Sequence, residues 1–152
     1  MKATSPADDY PIALLANILD RVVDDAVEDA LTDSGYTDLS RATGVVFEMI
    51  DDDGSRVTDM ARRARMTKQG MGHLVATVEA LGYVERVDDA TDGRAQLVLL
   101  TRRGRQAAKA GGVGLTKLED QWRSLLGERR YETVRRALAE LVAATGADHV
   151  RA

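Results

Sequence analysis

The chain contains no cysteine. Disulfides, thiolate metal sites, cysteine nucleophiles and cysteine redox sensing are therefore excluded. Histidine is nearly absent: His73 and His149 alone do not suggest a histidine-rich metal site, and no metal or cofactor is expected. Aromatic residues make up only 4 %. No apolar run approaches the ~18 residues that span a membrane. The first ten residues lack an apolar core behind a basic patch, so no signal peptide and a cytoplasmic location are expected. No paired acid and base, activated nucleophile or phosphate-binding loop stands out, which argues against an enzyme. The run Asp51-Asp52-Asp53-Gly54 reads as a solvated turn, since adjacent carboxylates before a glycine rarely bind metal.

What is present is an ordinary 152-residue composition, 44 % hydrophobic and 30 % charged. That length suits one core, 1–152, and needs no disulfide or metal to bury it. The net charge of −4 hides an uneven distribution. Residues 1–54 carry 3 Lys/Arg against 13 Asp/Glu; residues 55–110 carry 11 against 6; residues 111–152 carry 7 against 6. A basic island thus sits in an acidic protein, as either a nucleic-acid footprint or a solvated surface.

Apolar residues recur at helical spacing over 11–33, with Pro11 in the first helical position and Gly35 beyond the end. A second helix is expected over roughly 38–51, with Ala42, Val46, Met49 and Ile50 on one face. Thr58 reads as the N-cap of a short helix over 59–65, and Thr67 as the N-cap of another ending at Leu81 before Gly82. Two helices joined so tightly form a helix-turn-helix. The period then changes: 83–87 and 96–100 are β-rich, and the 88–95 segment between them contains Asp92-Gly93, a hairpin signal. Helical pattern resumes after Thr101, with Gly111, Gly112 and Gly114 suggesting a bend or break before 126. A last helix is expected over 128–145. The fold class is mainly α with a small β hairpin, a winged helix-turn-helix.

The helix after Thr67 carries the chemistry. Its apolar stripe leaves Lys68, Gln69, Gly72, His73 and Ala76 facing away, most of them in the first two turns. A recognition helix meets the major groove with its N-terminal residues, and its first amides can hold a phosphate. Lys68 can donate to guanine or phosphate, Gln69 can pair with adenine, and His73 can donate to an acceptor. Thr67 caps the helix and can also meet a phosphate. Gly70 and Gly72 each cost ~1 kcal/mol relative to alanine. Close approach of DNA favours Gly72, whereas Gly70 suits either DNA or tight packing against the preceding helix. Arg62, Arg63 and Arg65 are positioned for phosphates or for a solubilising face. Arg94 stands at the expected wing tip, where a long cation can enter the minor groove. Asp92 either orients Arg94, pairs with a nearby arginine, or only makes the turn. Arg102, Arg103 and Arg105 follow the wing as backbone contacts or as solvated charges.

From Val57 to Gly104 the chain resembles the winged-helix core of the MarR family. Val57-Thr58-Asp59-Met60-Ala61 is similar to the start of that family's third helix. Leu81-Gly82-Tyr83-Val84-Glu85-Arg86 is similar to the end of its recognition helix and first wing strand. Asp92-Gly93-Arg94 matches the wing's Asp-x-Arg, and Leu100-Thr101-Arg102-Arg103-Gly104 its Leu-Thr-x-x-Gly. The resemblance implies a homodimeric regulator of transcription, usually a repressor, with each subunit reading half of a palindromic site on double-stranded DNA. It implies a DNA-binding lobe over 37–104 and dimerisation helices over 10–34 and 105–147. Long amphipathic helices at both ends exceed what one small lobe can cover, which agrees. It further implies release by small phenolic or other lipophilic ligands, for which Tyr10, Tyr36, Phe47 and Trp122 are pocket-wall candidates, or else core and interface residues. The alternative is a winged-helix adaptor that binds proteins rather than DNA, which the acidic flanks keep open.

Overall fold

The computed structural model describes residues 6–145. His149 and the end of the expected 105–147 range lie outside them. A short 3-10 helix (Pro6–Asp9) precedes α1 (Ile12–Asp33), α2 (Arg41–Met49), α3 (Val57–Arg63) and α4 (Lys68–Ala80). Strands β1 (Val84–Asp89) and β2 (Asp92–Leu100) form an antiparallel hairpin, followed by α5 (Arg102–Leu126) and α6 (Glu128–Ala144). The helix-turn-helix and wing order read from the sequence is therefore the observed one. Among the described residues no helix is long and apolar enough to cross a membrane, and no cluster of acidic or histidine side chains could hold a metal ion.

Several boundaries differ for local reasons. Pro11 is the residue before α1, in extended backbone, rather than its first helical residue. α2 is shorter than expected because Ser40 starts it with a reciprocal cap: the Ser40 amide donates to Thr43 Oγ1, and Ser40 Oγ accepts from the Thr43 amide. Thr43, Val46 and Met49 face the core, and Ala42 does not. α3 begins one residue before Thr58, with extended Arg56 in the cap position and no side-chain cap bond, so Thr58 is not a cap.

The buried core joins α2, α3 and α4 to the base of the wing. Val46, Met60, Met71, Val75, Val78, Tyr83 and Val98 are sealed from solvent. The apolar stripe of α4 supplies three of them, which fixes the opposite face of that helix outward. Ser55 exchanges backbone hydrogen bonds with Val98, at 3.1 and 2.9 Å, stitching the turn before α3 onto β2.

Tyr83 ties this lobe to the start of α5. Its ring meets Tyr36 and Phe47 edge-on, and the Arg103 guanidinium lies 4.4 Å from the ring centroid. Its hydroxyl donates to Asp38, and Arg103 donates to both the hydroxyl, at 2.9 Å, and Asp38, at 2.8 Å. Burial and the Asp38 carboxylate push the tyrosine pKa up, and the tyrosine hydrogen bond holds Asp38 below its usual range.

α5 runs unbroken through Gly111, Gly112 and Gly114, so the expected bend is absent. Gly111 and Gly114 serve packing instead, whereas a Cβ on Gly112 would meet nothing within 4 Å. A Cβ on Gly114 would meet the Ala26 carbonyl at 2.4 Å and Ala30 Cβ at 2.8 Å, so α1 crosses α5 too closely for any side chain there.

Candidate nucleic-acid interface

The first turn of α4 is built as a docking end. Thr67 Oγ1 accepts from the Gly70 amide at 3.0 Å, fixing where the helix starts. Lys68 and Gln69 then stand exposed on that turn. Gly72, one turn on, has nothing within 4 Å of where a Cβ would lie, so the surface beside it is open. A Cβ on Gly70 would meet the Thr67 hydroxyl at 3.1 Å, not α3, so packing against the preceding helix does not explain that glycine.

The wing is longer than the alternation suggests. β1 and β2 stay in register up to Asp88 opposite Gln96, and Asp89 then pairs with Asp92. The loop is therefore Ala90-Thr91, and Gly93, Arg94 and Ala95 bulge out of β2. Arg94 lies in this bulge below the tip, and the Asp92-Gly93 pair marks the bulge rather than the turn. Asp92 Oδ1 accepts from the Arg94 amide at 3.2 Å, the local turn chemistry open in the sequence reading.

The turn is clamped by a residue the sequence did not single out. Asp89 is only 6 % exposed and accepts from the Thr91 amide at 2.8 Å and the Thr91 hydroxyl at 2.6 Å. Arg56, just before α3, donates to the same carboxylate through Nε at 2.9 Å and also through Nη2. Its Nη1 lies 3.6 Å from Asp92. Thr91 first, and then Arg56, hold the Asp89 carboxyl far below the usual carboxylate range.

Between α4 and the wing runs a groove of about 890 Å³. Lys68, Gln69 and Gly72 line one wall, Arg94, Gln96 and Arg86 the other, with Arg56 and Thr58 at its end. Arg86 is paired with Glu79 at 3.1 Å, and Arg56 with Asp89. Lys68 and Arg94 have no acidic partner among the described residues. Register parity could have found part of the wing wall, since Arg86, Asp88 and Gln96 share one face of the hairpin. Nothing local points to Arg56.

The remaining candidates are placed elsewhere. His73 is exposed on the second turn of α4, outside the groove lining. Arg62 is exposed and pairs with Asp59 at 2.9 Å. Arg65 has a left-handed backbone (φ 52°) and reaches the Thr145 carbonyl at 3.5 Å. Arg63 corrects the phosphate reading: its side chain is 12 % exposed and donates to Asp51 at 2.7 Å, Ser55 Oγ at 2.9 Å and the Met49 carbonyl. With its terminal N–H donors committed in this way, it holds α2, α3 and the turn between them together. After the wing, Arg103 is bound to Asp38, and Arg105 donates to the Leu100 carbonyl at 2.6 Å.

A second concavity, about 240 Å³, opens between α1, α2 and α5. Phe47 alone of the four aromatic candidates lines it. Tyr36 packs on Tyr83, Trp122 is half-buried along α5 and Tyr10 stands exposed before α1, so these three lie outside this concavity.

Residues 35–95 match the model of the MarR family. No curated protein sequence matches the chain. Among solved structures, the Staphylococcus aureus MepR–DNA complex is similar with a TM-score of 0.70 at 18 % identity, covering 90 % of this chain and 99 % of that one. The Mycobacterium tuberculosis MarR family protein Rv2887, in complex with salicylic acid, gives 0.63 at 27 % identity, covering 89 % and 98 %. CouR from Rhodococcus jostii RHA1, bound to p-coumaroyl-CoA, gives 0.68 at 20 % identity, covering 91 % and 95 %.

Proposed function

Because its winged lobe matches the MarR family and the whole chain takes that family's fold, we propose that this protein is a sequence-specific DNA-binding regulator of transcription. It acts as a homodimer on a palindromic operator, as a repressor in the cytoplasm. The observation that carries this reading is the groove. Lys68 and Gln69 at the N-terminal end of α4 share one concave surface with Arg94 of the wing, and the two cations have no acidic partner among the described residues. In a winged helix the former would read base edges in the major groove, and the latter would reach the flanking minor groove. Unpaired cations beside an open helix face suit a polyanion better than a protein ligand.

The dimer follows from uncovered apolar surface. α1 has no buried residue, and α6 has only Tyr131. Ile12 is 66 % exposed and Leu141 51 %. A monomer leaving both terminal helices this bare would expose a large apolar patch, and a second copy covers it. MepR complexed with DNA, and Rv2887 and CouR complexed with small molecules, support the further reading that an effector seated beside the terminal helices releases the DNA.

Selection of bound sequences from random double-stranded DNA tests the proposal. An enriched inverted repeat, bound with an affinity that falls steeply with salt, is the expected outcome. Recovery of no motif would overturn it in favour of an adaptor that binds proteins.

A further inference from the structure

The wing is tied to the rest of the lobe at two levels. Near its base, Arg86 of β1 lies opposite Val98 of β2. Val98 exchanges backbone hydrogen bonds with Ser55, at 3.1 and 2.9 Å, and Arg86 pairs with Glu79 of α4 at 3.1 Å. Both ties meet the hairpin at one register pair, so together they form a single pivot. Asp89 stands three residues further along β1, about 10 Å beyond that pivot at the rise of a strand. Among the described residues, the polar contacts that join the wing to the rest of the chain beyond the pivot are those of Arg56.

We propose that Arg56 is a positioning residue of the nucleic-acid interface: it fixes the wing tip over the start of α3 and thereby holds Arg94 beside α4. The proposal rests on the reading of this chain as a DNA-binding regulator and adds a residue that acts on DNA only through another. Arg56 works from a fixed base, since the residue before it is bonded to Val98 and the residue after it opens α3. Its fork divides between two carboxylates. Nε, at 2.9 Å, and Nη2 donate to buried Asp89, and Nη1 lies 3.6 Å from Asp92. Asp92 Oδ1 in turn accepts from the Arg94 amide at 3.2 Å, so two contacts lead from the guanidinium to the Arg94 backbone. A planar guanidinium can hold two carboxylates in one relation, which a lysine ammonium cannot. Arg56 also lines the groove, but two carboxylates already compensate its charge, which makes it a poorer phosphate ligand than Lys68 or Arg94. A two-stranded hairpin tied only at its base is marginally ordered, and DNA binding would then bear the cost of ordering Arg94.

Nitrogen-15 relaxation of the full chain without DNA, followed by a double-mutant cycle of operator affinities, tests this. In the free protein the amides of residues 91–95 should show order parameters of about 0.8 in the wild type and below about 0.6 in Arg56→Ala, with those of α4 unchanged. On the selected operator, Arg56→Ala should weaken binding about as much as Arg94→Ala, and the pair together no more than about twofold further. Lys68→Ala should cost its full factor in either background. Arg56→Lys keeps the charge without the fork, and its operator affinity should fall closer to that of Arg56→Ala than to wild type. A wild-type wing already below about 0.6, or a wing unchanged by Arg56→Ala, overturns the proposal without any DNA. Losses that multiply for Arg56 and Arg94, or full affinity in Arg56→Lys, overturn it by making Arg56 a phosphate contact in its own right. A wing that loosens in a chain for which DNA selection returns no motif leaves the clamp in place and sinks only the regulator reading.

Discussion

Lys68, in the first turn of α4, and Arg94, in the bulge of β2, line the same groove from opposite walls. The bulge matters to that relationship. In a regular strand Arg94 would pair with β1, whereas three unpaired residues below the tip turn it out beside α4. On the DNA reading the two side chains have different tasks. Lys68→Ala and Arg94→Ala should each weaken binding at the selected operator by about 1–3 kcal/mol, measured by fluorescence anisotropy. If Arg94 mainly neutralises phosphate, its loss should lower the salt slope by about one and weaken all sequences alike, while loss of Lys68 should relax preference at one base pair. Unchanged affinity in both variants would refute the assignment.

The Asp89 clamp predicts a pH dependence. Its folded pKa lies below the ordinary carboxylate value, so its stabilising contribution is complete above the unfolded pKa of about 4 and is lost as pH falls from there toward the folded value. Asp89→Asn should lower Tm at neutral pH, because Arg56 and Thr91 then face a neutral amide. The gap between wild type and variant should close as pH is lowered from about 5 to about 2. Parallel Tm curves across that range would show that the clamp contributes nothing through its charge.

What was legible in the sequence was local. The α4 stripe, the Thr67 cap and the strand alternation depend on neighbours a few residues away, so the helix-turn-helix, the wing and the outward placement of Lys68, Gln69 and Gly72 could be read directly. What depended on distant partners could not. Arg63 stands in an apparently exposed arginine-rich run but is drawn inward by Asp51, Ser55 and Met49. Arg56 meets Asp89 only because the wing folds back over the start of α3. Gly111 and Gly114 looked like helix breakers because the helix packed against them lies far away in sequence. The aromatic residues misled for the same reason: Tyr36 is held by Tyr83, across the lobe.

Two glycines should respond oppositely to alanine. A Cβ on Gly104 would sit 2.0 Å from the Tyr83 carbonyl oxygen, a backbone atom that also accepts from the Thr101 amide at 2.9 Å. It cannot move without opening the junction of wing and α5, so Gly104→Ala should cost roughly 3 kcal/mol or more in chemical denaturation. Gly72 has free space, and Gly72→Ala should add up to about 1 kcal/mol of helix stability. The same methyl would stand in the groove, so operator affinity should fall while stability rises. A stabilised variant with full affinity would remove the case that DNA approaches the backbone at this point.

The bare terminal helices give the last prediction. Val134, Leu138, Leu141 and Val142 of α6 are each more than two-fifths exposed, and the lobe's core includes none of them. If a second copy covers this face, Leu138→Asp with Leu141→Asp should convert a dimer into a monomer in sedimentation velocity, because each buried carboxylate would lose hydration without gaining a partner. The lobe should stay folded, since its core is built from α2, α3, α4 and the wing and closes on Tyr83. Operator binding should nevertheless collapse. A single winged helix contacts only half of a palindrome, and the affinity that comes from tethering two halves is lost with the interface. A variant that remains dimeric would place the interface elsewhere, and a wild-type chain that sediments as a monomer would remove the reason for these exposed leucines altogether.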